Sequence, residues 1–137
     1  MIALQGSGGR APATLPSSTS LACSGNVSSI HLLGAVASFG PPNTNAAASV
    51  IVRCKFEDGS KEDHELVNGK HLATYREKVD VAESKFAMDV NGKQIRYLKI
   101  PITNKKPLKS IYFVKGEDFS IPLIFAVTVE SAENGAH

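Results

Sequence analysis

The side chains best suited to metal binding or nucleophilic catalysis in this 137-residue chain are four histidines and two cysteines. They are His31, His64, His71, His137, Cys23 and Cys54. No two of them have the spacing of a metal-binding pair such as His-x-His or His-x-x-x-His, and neither cysteine has a close partner. This spacing favours hydrogen-bonded or solvent-facing histidines over a transition-metal site.

Motifs for covalent or acid–base catalysis are missing from the sequence. No serine lies in a Gly-x-Ser-x-Gly elbow, and neither cysteine lies in a known nucleophile motif. The adjacent carboxylates Glu62-Asp63 and Glu117-Asp118 would point to opposite faces of a strand. The sequence therefore predicts a protein that is not an enzyme and that has no required cofactor.

Two further possibilities stay open at this point, a calcium site formed by carboxylates and a disulfide between the two cysteines. A structural calcium ion is one alternative, because the chain offers carboxylate oxygens at Glu57, Asp58, Glu62, Asp63 and Asp80. A solvated acidic hairpin is the favoured interpretation of the same residues. Cys23 and Cys54 both lie in segments predicted as strands, and two buried thiols are favoured over a disulfide.

The distribution of charged and apolar residues argues against two classes of partner, nucleic acids and membranes. The net charge is +2, and the lysines are spread from Lys55 to Lys115. The one tight basic cluster, Lys105, Lys106 and Lys109, contains no aromatic residue on which a base could stack. The chain also contains no run of about 18 apolar residues. We therefore predict neither nucleic-acid binding nor membrane insertion.

A sugar site would need an aromatic ring for the apolar face of the sugar and planar polar groups for its hydroxyls. Two long loops supply both kinds of group. Their candidate residues are Phe39, Asn43, Asn45, His71, Tyr75 and Arg76. We predict that the two loops lie together and form one ligand site. The alternative is that the two aromatic residues pack beneath their loops and that Arg76 pairs with a carboxylate.

Apolar residues alternate with polar ones in five segments, which is the pattern of half-buried strands. Val50 to Phe56 is the clearest of them, and Asp58-Gly59 after it indicates a hairpin turn. The predicted core is Ile30, Leu32, Val52, Phe56, Leu98, Ile111, Phe113, Phe125 and Val127. Six or seven strands with hardly any helix predict an all-β, two-sheet antiparallel β-sandwich of the jelly-roll kind.

The domain boundaries follow from composition. Residues 1–18 are rich in Gly, Ser, Ala and Pro, and they are predicted to form a flexible arm or linker. Residues 19–131 form the sandwich domain, and residues 132–137 a frayed tail. Lys70 to Lys78 is predicted to be a short helix or an irregular excursion.

The strand sequences Ser29-Ile30-His31-Leu32-Leu33-Gly34, Val50 to Gly59, Gln94 to Leu98 and Ile111 to Gly116 together resemble a known family. They are similar to the galactose-binding-like jelly-roll domains appended to large secreted dehydrogenase or c-type cytochrome proteins of planctomycete-type bacteria. The resemblance implies a non-catalytic carbohydrate-binding accessory module of a larger exported protein, with an extracellular or periplasmic location.

The chain departs from that family in one respect, because Phe39 stands where relatives tend to carry a Trp and the chain contains no Trp. The alternative function is therefore a structural or protein–protein interaction module that links neighbouring domains. Its partners would be those protein domains instead of a carbohydrate.

Overall fold

The structure is a computed structural model, and it describes residues 2–4, 18–38, 47–76, 80–117 and 120–131. These residues contain nine strands. The strands are β1 (Ile2–Ala3), β2 (Ser18–Gly25), β3 (Val27–Ser38), β4 (Ala48–Phe56), β5 (Lys61–Val67), β6 (Lys85–Val90), β7 (Lys93–Pro101), β8 (Leu108–Lys115) and β9 (Ser120–Ser131).

The strands form two antiparallel sheets that pack face to face, so the predicted β-sandwich is confirmed. The five-stranded sheet has the order β1-β9-β3-β7-β6, and the four-stranded sheet has the order β2-β8-β4-β5. Only β4–β5 and β6–β7 are hairpins of consecutive strands. The other pairings join strands that are far apart in the sequence.

The alternation of apolar and polar residues determines which face of each central strand is buried. In β4, Val52 and Cys54 are fully buried between the sheets, whereas Lys55 is exposed on the outer face. The β6–β7 hairpin turns at Asn91-Gly92, and both residues have positive φ values, 53° and 80°. Asn and Gly tolerate this conformation, which explains why the pair marks a tight turn.

Seven of the nine predicted core residues are buried, and the prediction is wrong for Phe125. Phe125 is exposed, whereas its neighbour Ile124 is buried and Val127 is half-buried against the core. The reason is a β-bulge, since Leu33 pairs with Ala126 and Gly34 pairs with Ile124, which leaves Phe125 without an opposite residue. The extra residue reverses the alternation along β9.

The beginning of the chain is attached to the sandwich. Ile2 and Ala3 pair with Ile124 and Leu123 of β9, and the next residue, Leu4, is fully buried in the core. These three residues fall within the predicted arm. Ser18, the last residue of that arm, begins β2, whereas the rest of the arm and the predicted tail 132–137 lie outside the described residues.

A long segment from Asn68 to Ser84 connects the two sheets, and its described part to Arg76 is irregular and contains no helix. Two buried side chains of β7 hold it. Gln94 Nε2 donates to the carbonyl oxygen of Thr74 at 3.1 Å. Arg96 Nε donates to Ser84 Oγ at 2.7 Å, and its Nη2 donates to the Ser84 carbonyl at 2.6 Å.

Candidate functional site

The predicted ligand residues fall into two groups. Phe39, Asn43 and Asn45 lie outside the described residues. His71, Tyr75 and Arg76 lie in the segment between β5 and β6. The Tyr75 backbone N–H donates to the carbonyl of Val36 at 2.9 Å, three residues before Phe39. Tyr75 therefore adjoins the strand from which the other predicted loop continues, and the joint site stays a prediction.

Tyr75 and His71 occupy different parts of the molecule. Tyr75 lies beside the first residue of β7, Lys93, whose ammonium group is 5.1 Å from the centroid of the Tyr75 ring. Arg76 follows it and is exposed. His71 instead lines a hollow beside the end of β7, together with Leu98 and Pro101.

That hollow belongs to a polar groove at one edge of the sandwich, which we call the edge groove. β6 pairs with β7 only as far as Tyr97, so β7 beyond it lies open opposite β5 of the other sheet. The hollow between them has a volume of about 340 Å³. A second hollow of about 330 Å³ shares Glu83, Leu98 and Lys99 with the first. The polar lining of the two is Asp63, His64, Glu65, His71, Glu83, Ser84, Lys85, Tyr97 and Lys99.

The two histidines of the edge groove have different hydrogen-bond partners. His71 Nδ1 accepts the backbone N–H of Val67 at 3.0 Å, so the proton of the neutral ring is on Nε2. Burial and the neighbouring Lys70 lower the pKa of His71, and Glu83 opposes that shift. His64 Nε2 lies 2.6 Å from Glu62 Oε2.

Glu62 is held by several donors from the loop after β7. Its Oε1 accepts the Thr103 hydroxyl at 2.8 Å and the Asn104 backbone N–H at 2.9 Å. Burial alone would raise the pKa of Glu62, but the hydrogen bonds from Thr103, Asn104 and His64 outweigh it and lower the pKa. The carboxylate therefore ties β5 to the opposite sheet beside the groove.

Tyr97, at the far end of the edge groove, is oriented by a cluster on the outer face of the five-stranded sheet. The His31 and Tyr97 rings are stacked, with centroids 5.8 Å apart and planes at 11°. His31 Nδ1 lies 2.6 Å from the Tyr97 hydroxyl, and Nε2 lies 2.9 Å from Glu130 Oε1. A carboxylate only accepts, so Nε2 donates to Glu130, and in the neutral ring Nδ1 accepts a hydrogen bond from the phenol. The hydrogen bond from His31 also lowers the pKa of Glu130.

Most residues of the edge groove were not identified from the sequence. His71 was predicted as a ligand residue, whereas Tyr97, Lys99 and Glu83 were not. Tyr97 and Lys99 alternate with the apolar Leu98 and Ile100, which indicates a shared outer face. No local pattern indicates that β5 lies beside them.

The cysteines and the predicted calcium donors do not form sites in the described part of the chain. Both cysteines are free, and β8 lies between their strands, β2 and β4. Two strand spacings separate the Cα atoms by about 9–10 Å, beyond the reach of a disulfide. No group of three or more His, Cys, Asp or Glu side chains that could hold a metal ion occurs among the described residues. Glu62 binds Thr103, and Asp63 binds Arg53.

No family model matches the chain, and no curated protein or solved structure is significantly similar to it. The residues that the structure describes also contain no helix long and apolar enough to cross a membrane.

Proposed function

We propose that the chain is a non-catalytic carbohydrate-binding accessory module of a larger exported protein and that the edge groove binds the sugar. The observation that carries the proposal is that the two hollows adjoin each other, since Glu83 and Lys99 line both. Each has a volume in the lower range of small-molecule sites. Together they offer room for a short oligosaccharide.

The chemistry of the groove lining supports a sugar ligand. Carboxylates accept hydrogen bonds from sugar hydroxyls, and ammonium groups and the His71 Nε2–H donate to them. Tyr97 adds an aromatic ring at one end, with Lys85 opposite it in the neighbouring strand. An aromatic ring with polar groups around it suits the mixed polar and apolar surface of a pyranose.

One wall of the groove is held in place by hydrogen bonds, which favours binding. Glu83 and Ser84 lie on the connecting segment, and Arg96 fixes that segment through two hydrogen bonds to Ser84. A preformed wall reduces the ordering entropy that a ligand would otherwise lose. The resemblance noted in the sequence points to the same function.

A glycan array and a pull-down with insoluble polysaccharides test the proposal, with Tyr97→Ala compared with Tyr112→Ala. Tyr112 is a matched control because it lies on the outer face of the other sheet, where the Lys55 ammonium covers its ring at 4.3 Å. We expect Tyr97→Ala to weaken binding about tenfold, since one aromatic contact contributes roughly 1–2 kcal/mol. Tyr112→Ala should bind as the unmodified chain does.

Tyr75→Ala separates the edge groove from the site predicted at the loops. If only Tyr75→Ala weakens binding, the sugar site lies at the end of β3, as the prediction that includes Phe39 requires. If no glycan binds, the carbohydrate proposal is wrong.

A second candidate function, a protein-interaction module, is favoured by β6. This six-residue edge strand exposes three large apolar side chains, Phe86, Met88 and Val90. Met88 and Val90 pair with Ile95 and Lys93 and share one face, whereas Phe86, on the other side of the register shift, pairs with Arg96 and lies on the opposite face. Exposed apolar side chains along a sheet edge indicate a protein contact. A negative glycan array together with co-purification of a neighbouring domain, lost in Val90→Lys, would establish this function instead.

A further inference from the structure

Five exposed lysines gather at the end of the sandwich where β4 turns into β5. Three of them are close together in the sequence, and the fold brings one lysine from β4 and one from β5 beside them. We call this set the lysine cluster, and its members are Lys55, Lys61, Lys105, Lys106 and Lys109.

Strand pairing places like charges side by side in the lysine cluster. Lys55 lies directly opposite Lys61 in the β4–β5 pair. On its other side Lys55 pairs with Ser110, and the preceding residue, Lys109, is left without an opposite residue by a register shift. Like charges directly opposite each other on a sheet are destabilising. An anion bound between these ammonium groups therefore relieves a repulsion that the free chain has to tolerate.

Hydrogen bonds hold the loop that contains the other two lysines against the same end of the sandwich. The Glu57 backbone N–H donates to the Pro107 carbonyl at 2.9 Å, and Asn104 Nδ2 donates to Ser60 Oγ at 3.0 Å. Within the loop, the Lys106 backbone N–H donates to Asn104 Oδ1 at 2.8 Å. A ligand therefore does not have to order this loop when it binds.

The lysine cluster keeps its positive charge within the described residues. None of its ammonium groups lies within ion-pair distance of a described carboxylate. Glu57 and Asp58 are the acidic residues of the turn. Glu62 already accepts hydrogen bonds from other donors, and Asp63 is paired with Arg53. The excess of positive charge attracts a polyanion.

The surroundings of the lysine cluster favour an acidic polysaccharide over other polyanions. The aromatic ring beside it is that of Tyr112, and the Lys55 ammonium lies over this ring at 4.3 Å, so the ring is engaged by a cation and not open to a nucleic-acid base. Both oxygens of Asp63 hold the nearby Arg53 guanidinium. Lysine is depleted in protein interfaces, and none of the large exposed apolar side chains belongs to the cluster.

We infer that the lysine cluster binds an acidic polysaccharide whose carboxylate or sulfate groups contact the ammonium groups of Lys55, Lys61 and Lys109. Lysine ammonium groups act as point charges with several donors, which suits anionic groups spaced along a flexible chain. No residue of the cluster lines the edge groove, so the inference does not depend on sugar binding there.

Fluorescent oligogalacturonate and dextran sulfate are the probes, one for each kind of anionic group, and neutral dextran is the control probe. Fluorescence anisotropy of the full chain measures binding. We expect one or both acidic probes to bind and dextran not to bind. Raising the salt from about 0.02 M to about 0.15 M should weaken binding about tenfold, because exposed charges are screened.

Charge reversal within the lysine cluster tests its residues. Lys61→Glu and Lys109→Glu should each weaken binding about fivefold at low salt. Lys61→Glu also replaces the repulsion with Lys55 by an attraction, so its melting temperature should not fall. Lys93→Glu makes the same change in charge at the start of β7, away from the loop that follows this strand, and it should bind normally.

Three results would overturn the inference. The first is absence of binding to both acidic probes at low salt. The second is an equal loss in Lys93→Glu, which shows a response to net charge alone, or a loss in Tyr97→Ala, which places the acidic sugar in the edge groove. The third is tighter binding of a single-stranded oligonucleotide of equal charge, since the partner is then a nucleic acid.

Discussion

At the scale of single residues, Arg96 is the largest fully buried side chain in the described residues. A carboxylate of the described residues, that of Asp80, lies 3.4 Å from its Nη1, and the Asp80 side chain is 81% exposed. Among the described residues, the shortest contacts of the guanidinium are with neutral oxygens, namely those of Ser84 and the Gln94 amide at 2.8 Å. A buried charge is costly unless it is hydrogen-bonded, and these buried oxygens in turn need the guanidinium N–H groups as donors.

We predict that Arg96→Met lowers the free energy of unfolding by about 3 kcal/mol, because it leaves several buried oxygens without donors. Urea unfolding measures the change. Arg53→Met is the control, since Arg53 pairs with Asp63 on the outer face of the four-stranded sheet. It should lose about 1 kcal/mol or less, as exposed ion pairs do. Equal losses would show that Arg96 does not anchor the connecting segment.

Glu62 makes the stability of the fold depend on pH. Its pKa is lowered in the folded chain, so its ionised form contributes stability above the unfolded value of about 4.3. That contribution disappears as the pH falls through the lower, folded pKa. We predict that Glu62→Gln is less stable at pH 7 by about 1–2 kcal/mol and loses less on acidification.

Urea unfolding from pH 7 to pH 2 measures both effects of the Glu62 substitution. Glu57→Gln, at an exposed position in the preceding turn, is the control and should change stability by less than about 0.5 kcal/mol. Parallel pH curves for Glu62→Gln and the unmodified chain would contradict the prediction.

At the scale of elements, the bulge in β9 decides which side chains enter the core. Removing Phe125 joins Ile124 to Ala126 and leaves Ile124 and Val127 facing inward. We predict that this deletion lowers stability by less than about 1.5 kcal/mol. Deleting Thr128 instead makes Val127 and Val129 neighbours, so one of them must face solvent, and we expect a loss of about 3 kcal/mol or more. Urea unfolding distinguishes the two, and equal losses would mean that the bulge is essential.

The same bulge shows where prediction from the sequence succeeds and fails. Alternation within β4 or β8 identifies buried residues because each of these strands keeps a period of two through its core positions. The alternation of Leu123, Phe125, Val127 and Val129 looks equally regular in the sequence. The unpaired Phe125, however, reverses which residues of β9 face the core. Bulges depend on the partner strand, which a local pattern does not contain.

At the scale of the whole molecule, the edge groove joins residues that are distant in the sequence. His64, Glu83 and Tyr97 come from β5, the connecting segment and β7. The fold class could be predicted because it follows from local periodicity. The groove could not, because it depends on which strand of one sheet lies over which strand of the other. His71 was identified only because its loop is long and polar.

The whole sandwich depends on β9, which lies between β1 and β3 in the five-stranded sheet. We predict that a chain ending after Glu117 does not fold, because β3 loses the partner that covers one side from Val27 to Ser38. Circular dichroism and urea unfolding test this. A cooperative unfolding transition in the shortened chain would contradict the prediction.

The position of β9 also sets the order of events during synthesis. β3 is made well before β7 and β9, which are its neighbours on either side. Translation proceeds at about 5–20 residues per second, so several seconds pass while β3 has no sheet to join. During that interval the nascent chain presents an unpaired apolar strand to chaperones and to other chains. The five-stranded sheet can therefore be completed only after β9 has been made, and we expect closure of these long loops to limit the folding rate, as in other sandwiches with distant strand pairing.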